Sequence, residues 1–218
     1  MRSSQSHEGE QVARYFDQNA RDFDTIYETE KRPLRRWRDR LTRGTVVQRL
    51  DLVDDIATRH ASTRILDVGC GPARFAVRLA PRASAFVGID FAPEMIALAR
   101  QKAVDAGVGE KCSFHAVDFL TWDPGQEFDL ALAIGVVDYI SDPGPLLAKM
   151  AEASGGNIIV SFPRLMQALT PLRFVRLRAS GCPVFFYTRR QVDTFGRTYL
   201  RKFRVERLGR DYILVGNL

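Results

Sequence analysis

The stretch Arg64-Ile65-Leu66-Asp67-Val68-Gly69-Cys70-Gly71-Pro72-Ala73-Arg74-Phe75 restricts the fold more than any other. Ile65, Leu66 and Val68 form a short apolar run, the pattern of a central parallel strand buried on both faces. Gly69 and Gly71 end it, let the backbone turn tightly and leave room for a ligand to approach. Phe75, Ala76, Leu79 and Ala80 then recur at helical spacing. Strand, glycine turn and helix together aim backbone N–H groups and a positive helix end at a crevice.

The same rhythm continues. Apolar runs at 64–68, 85–90, 112–118, 128–134 and 157–162 alternate with helical patterns at 73–80, 93–106 and 143–153. Strand–helix alternation specifies a parallel sheet with right-handed crossovers. After Pro163 the rhythm changes, and residues 164–200, rich in Arg and aromatics, read as an insertion beside the crevice. Two short strands around Leu208-Gly209-Arg210-Asp211 then form an antiparallel hairpin.

Ahead of the alternation, residues 1–62 read as an N-terminal helical extension, leaving 63–218 as the main domain. Val12, Tyr15, Phe16, Ala20 and Phe23 make one apolar stripe, and Val46 to Ile56 make another. The net charge of +6 is concentrated between Lys31 and Arg43, where seven cations face one anion, Asp39. A local basic patch points to an anionic ligand or a peripheral membrane contact more than to a nucleic-acid coat. Met1 to Glu10 lack a signal-peptide core, and no apolar run approaches the ~20 residues of a membrane span, so the expected compartment is the cytoplasm. Cys70, Cys112 and Cys182 are far apart, with neither disulfide nor metal-ligand spacing. His115 reads as a structural side chain within its strand.

In open α/β sheets ligands bind beyond the carboxyl ends of the strands. Those ends carry Asp67 with Gly69 and Gly71, then Asp90, Asp118, and Gly135 to Asp138. An acid one βαβ half-unit after the first strand suits ribose hydroxyls, which assigns Asp90. Asp67 would repel a dinucleotide's pyrophosphate and suits a cationic ligand end such as an ammonium or sulfonium. Asp118 can accept a hydrogen bond from an adenine amine. The crevice therefore fits a nucleoside joined to a cationic amino acid.

These residues resemble the motifs of class I S-adenosylmethionine-dependent methyltransferases. Ile65 to Ala73 is similar to motif I, Gly88-Ile89-Asp90-Phe91-Ala92-Pro93-Glu94-Met95 to motif II, and Val117-Asp118-Phe119 to the adenine-contacting segment. Phe128-Asp129-Leu130 with Gly135 to Asp142 resembles the strand-4 motif. The resemblance implies a Rossmann-like α/β fold: a seven-stranded, mostly parallel sheet with the C-terminal antiparallel hairpin, helices on both faces and the N-terminal helical extension. It implies S-adenosylmethionine as cofactor. Asp67, Gly69 and Gly71 would hold the methionine part, Asp90 the ribose, and Asp118 the adenine with Phe119 beside its ring; Phe91 and Gly135 are also expected to bind the cofactor. Tyr15 and Tyr27 resemble the family's N-terminal cofactor lid. The third motif glycine is Ala73 here, and since Ala disfavours positive φ a slightly shifted turn is expected. The layout is most similar to the ubiquinone/menaquinone and Mg-protoporphyrin branch, which implies a small-molecule acceptor.

Methyl transfer from a sulfonium needs chiefly proximity, alignment and exclusion of water. A hydroxyl acceptor must also lose a proton, and Asp138, Tyr139 and Tyr187 are the candidates to assist. The expected activity is methylation of a small acidic or amphiphilic acceptor, most readily at oxygen, with no metal. A non-catalytic cofactor-binding partner subunit stays open as an alternative. A nucleic-acid methyltransferase is disfavoured, because Ile134-Gly135-Val136-Val137 is not the Asn/Asp-Pro-Pro-aromatic signature of enzymes that methylate base amino groups.

Overall fold

The computed structural model describes residues 47–165 and 183–217. Tyr15, Tyr27, the Lys31–Arg43 run, Cys182 and the 166–182 part of the expected insertion lie outside the described residues. Seven strands are present among the described residues: β1 (Arg64–Val68), β2 (Ala85–Asp90), β3 (Cys112–Ala116), β4 (Phe128–Ala133), β5 (Ser154–Pro163), β6 (Lys202–Leu208) and β7 (Asp211–Asn217). They form one sheet in the order β3-β2-β1-β4-β5-β7-β6. β1 to β5 pair in parallel, while β7 runs antiparallel between β5 and β6.

The helices are α1 (residues 47–59), α2 (Arg74–Leu79), α3 (Pro93–Asp105), α4 (Gly144–Ala153) and α5 (Arg189–Tyr199). Pro93 at the first position and Glu94 in the first turn suit the start of α3. Period-2 alternation along each strand divides the core in two. On one face Ile65, Leu130, Leu132, Ile159 and Ile213 pack against Val53 and Ile56 of α1, Ala76 and Leu79 of α2, and Ile96 and Ala99 of α3. On the other, Leu66, Val68, Ala131, Val160 and Phe162 meet Leu147 and Met150 of α4 and Val192 of α5. The helices thus cover both faces, as expected. Full burial of each Leu or Ile contributes about 1.5–3 kcal/mol, which is why the central strands read as unbroken apolar runs.

Two elements depart from expectation. β5 begins at Ser154, three residues early, because Gly155 and Gly156 let the chain pass close to β4; a Cβ on Gly156 would lie 2.0 Å from the Asp129 carbonyl oxygen. α5 lies inside the stretch read as an insertion. It is opened by a capping box in which the Thr188 hydroxyl accepts from the Gln191 N–H and the Gln191 side chain accepts from the Thr188 N–H. Residues 189–199 are therefore a regular crossover helix leading into β6. No helix among the described residues is long and apolar enough to cross a membrane.

Candidate active site

The sheet order reverses between β1 and β4, which makes their carboxyl ends the switch point of the fold. β1 pairs with β2 as far as Val68–Ile89, but with β4 only as far as Asp67–Leu132. Beyond the end of that second pairing lies the place where open α/β sheets hold a ligand. The turn leaving β1 is tied to β2: the N–H groups of Gly69 and Cys70 both donate to the Ile89 carbonyl, at 2.7 and 2.9 Å. Its two glycines do different work. A Cβ on Gly69 (φ +70°) would sit 2.1 Å from Val136 Cγ2, so glycine there lets the β4 loop pack over the β1 turn. The corresponding position on Gly71 (φ +48°) has no atom of the described residues within 4 Å.

Ala73 corrects one expectation. It adopts φ 59° and ψ 36°, the left-handed conformation a glycine takes readily, although Ala was expected to avoid positive φ. The strain of about 1–2 kcal/mol is tolerated because the methyl group is fully buried and the Ala73 N–H donates to the Cys70 carbonyl at 3.1 Å. Cys70 itself is a buried free thiol, pushed well above its ordinary pKa by burial first and then by the charges of Asp67 and Asp90.

The three strand-end acids differ in their partners. Asp90 accepts the Gly71 N–H at 2.9 Å on one oxygen and the Ala92 N–H at 3.0 Å on the other, so it ties the glycine turn after β1 to the turn after β2. Asp118, half-buried, accepts the Leu120 N–H at 2.8 Å and closes its own turn. Asp67 is 1% exposed, and its Oδ2 has no hydrogen-bond partner among the described residues. Burial, and secondarily the Asp90 charge, push its carboxyl well above the usual carboxylate range. An enclosed, orphaned carboxylate oxygen is costly, and a cationic group in the crevice would relieve it.

Phe91, next to Asp90, is 43% exposed at the crevice edge. Phe119 is not exposed, and this corrects its expected place beside the ligand's ring. Its side chain belongs to the core, with Trp122 at 6.5 Å and the Lys149 ammonium 5.4 Å from its ring centre. Asp118, Phe119 and Leu120 form a tight turn that turns the Phe inward and leaves Leu120 exposed. His115 packs near Trp122, at 5.7 Å between ring centres.

Across the crevice, Gly135 (φ +83°) donates its N–H to Ser161 Oγ at 2.8 Å and leads into a single 3-10 turn, Val137–Tyr139. Asp138 in that turn is 3% exposed, and its carbonyl accepts the Phe185 N–H at 2.8 Å. Tyr139 is half-buried beside it. Tyr187 lies in the core, edge-on to Phe162 at 5.3 Å, and donates its hydroxyl to the Ile140 carbonyl at 2.6 Å. Held in this way, it orients the 137–140 turn from beneath.

One pair here carries no local sequence signal. Arg49 on α1 donates through Nε and Nη2 to Asp211 Oδ2, at 3.0 and 2.6 Å, across 162 residues of chain. Asp211 is fully buried at the start of β7, opposite Pro163 at the end of β5. Burial pushes its carboxyl up, Arg49 pulls it down and the Asp138 charge pushes it up again, with a net rise. α1 is held in place by Arg78 of α2, whose Nε donates to Asp54 at 2.9 Å.

A sheet of this order, with a glycine turn at its switch point and an acid at each of three successive strand ends, defines the Rossmann-like methyltransferase class. The chain belongs to the methyltransferase domain family, which matches residues 59–183, as the motifs between 64 and 142 imply. Over 123 residues it is 33% identical to a ubiquinone biosynthesis O-methyltransferase of Azorhizobium caulinodans, covering 51% of this chain and 48% of that protein. Over 130 residues it is 30% identical to a trans-aconitate 2-methyltransferase of Streptomyces coelicolor, covering 54% and 43%. The chain thus spans about half the length of the curated relatives it matches. Among solved structures, magnesium protoporphyrin IX methyltransferase from Synechocystis PCC 6803 shares the fold. Its form with bound SAH superposes with a TM-score of 0.78 at 17% identity, covering 95% of this chain and 98% of that one. Its form with bound SAM gives 0.74 at 16%, covering 95% of each.

Proposed function

We propose that this protein transfers the methyl group of S-adenosylmethionine to a small-molecule acceptor, at a hydroxyl oxygen. The observation that carries the proposal is Asp67: an enclosed carboxylate with an orphaned oxygen, at the mouth of a glycine turn, calls for a cation. When bound, the cofactor supplies an electrophilic methyl group on a sulfonium.

This chain's residues supply the binding surface. Asp67 meets the ammonium of the amino-acid end. Gly71, with open space above it, admits the ligand close to the backbone. Asp90 accepts from the ribose hydroxyls, and Asp118 accepts from the adenine amine. Phe91 and Leu120, both exposed at the crevice edge, provide apolar surface for the base in the role first assigned to Phe119. Arg49 presents a cation to the carboxylate. Gly135 forms the opposite wall, and Asp138 with Tyr139 faces the acceptor and receives or relays its proton, while Tyr187 orients their turn. Tyr15 and Tyr27 keep the lid role that the resemblance implies, and the Lys31–Arg43 run is assigned to an anionic group of the acceptor or an anionic surface.

Incubation with methyl-labelled S-adenosylmethionine and the low-molecular-weight fraction of a cell extract should label one small product that survives mild alkali, as an ether does and a methyl ester does not. Tight cofactor binding with no label transferred would point instead to a non-catalytic partner subunit.

A further inference from the structure

The pairing of Arg49 with Asp211 is lopsided. Both Arg49 donors, Nε and Nη2, go to one oxygen, Asp211 Oδ2. The other oxygen, Oδ1, is fully enclosed and has no hydrogen-bond partner among the described residues. A pair built for stability would engage both oxygens in the two-pronged arrangement that a guanidinium and a carboxylate allow. This one leaves an enclosed acceptor unmet, a cost that stability alone does not explain.

What the arrangement does achieve is orientation. With the Nε–Nη2 edge anchored, Nη1 points to Gly135. It lies 3.8 Å from where a Cβ on that residue would stand, and no other atom of the described residues outside the adjoining chain comes within 4 Å. The Arg49 side chain is only 12% exposed, so its direction is fixed by packing as well as by Asp211. Gly135 follows β4, the neighbour of β1, so this wall of the crevice stands across from Asp67. A zwitterionic amino-acid end set between an unmet carboxylate and an oriented guanidinium would have both its charges answered.

We propose that Asp211 is a positioning residue for the cofactor's carboxylate: it holds Arg49 so that Nη1 meets that group over Gly135 while Asp67 takes the ammonium. The inference rests on the cofactor reading given above. It makes the hairpin strand β7, which touches none of the glycine or acid motifs, part of the binding apparatus.

The test compares S-adenosylmethionine with its decarboxylated form, which keeps the sulfonium, ammonium, sugar and base. Titration calorimetry on the full chain, without acceptor, should show the intact protein preferring S-adenosylmethionine by about tenfold, within the span that coupled neighbouring groups show. In Asp211→Asn that preference should fall to about twofold or less, through weaker binding of S-adenosylmethionine alone, with the decarboxylated ligand bound as before. Arg49→Lys keeps the charge but not the fork, should give the same result, and serves if Asp211→Asn does not fold. Equal weakening of both ligands would reduce the pair to a structural tie and overturn the proposal, as would an unchanged preference in either variant. A native protein that binds both ligands equally overturns this inference alone. One that binds neither overturns the cofactor reading and this inference with it.

Discussion

The two edges of the sheet treat a carboxylate in opposite ways. At the amino edge, Asp129 of β4 accepts three hydrogen bonds on one oxygen, from the Thr63 N–H at 3.0 Å, the Thr63 hydroxyl at 2.9 Å and the Arg64 N–H at 2.8 Å. Burial alone would raise its carboxyl, but these bonds and the Arg64 charge outweigh it and hold the group below its ordinary value. At the carboxyl edge, Asp67 of β1 is more deeply buried, its Oδ2 is unmet, and burial with the Asp90 charge drives it far the other way. The strands are neighbours and the residue type is the same. One edge is finished by the chain itself, and the other leaves a carboxylate oxygen without a partner among the described residues.

The contrast can be broken most decisively at Asp67. Asp67→Asn should weaken S-adenosylmethionine binding by about a hundredfold, the scale of removing one partner from an enclosed charge pair, as read by calorimetry. In the ligand-free protein the same change should raise stability at neutral pH. A folded-state pKa above the unfolded one means that the native chain keeps its proton longer, so the stability linked to it is lost as pH rises through the folded value. Denaturation curves across pH should lose that slope in the variant.

The two glycines sharpen the picture next. Gly69→Ala should cost about 2–3 kcal/mol in urea denaturation, combining left-handed strain with the collision against Val136. Gly71→Ala, which meets only strain, should cost about 1–2 kcal/mol. Asp129→Asn should cost about 1–2 kcal/mol near neutral pH and leave cofactor affinity unchanged. Its linkage runs opposite to that of Asp67: with the folded pKa lowered, the stability is present above the unfolded value and is lost as pH falls through the folded one. The smallest effect is expected from Tyr187→Phe, about 1 kcal/mol for the lost bond to Ile140. The pH dependence of methyl transfer should then be unaltered, whereas a shifted profile would make Tyr187 a proton carrier.

The amino half of the fold was legible because its signals are local. Ile65 to Gly71 contains strand, turn and acid within seven residues, and β2 with α3 repeats that unit. Asp90 could be picked out by its distance from Asp67, although its bonds to Gly71 and Ala92 could not. The misses have physical causes. Ala73 takes a backbone conformation that its side chain disfavours because surrounding packing overrides local preference. Phe119 points inward because its turn, and not its position after a strand-end acid, decides its direction. α5 could have been found from Thr188 and Gln191, whose spacing is that of a capping box. Nothing near Arg49 or Asp211 advertises their meeting, since only the finished topology brings α1 over β7.

β7 comes after the other six described strands in chain order, yet it occupies an interior place, wedged between β5 and β6. Until it inserts, β6 has no strand among the described ones to pair with, and the carboxylate that holds Arg49 is missing. A nascent chain cut short before residue 211 would own all three strand-end acids and still lack the anchor at the opposite wall. The carboxylate that holds Arg49 therefore joins the fold only after the parallel part of the sheet is complete in sequence.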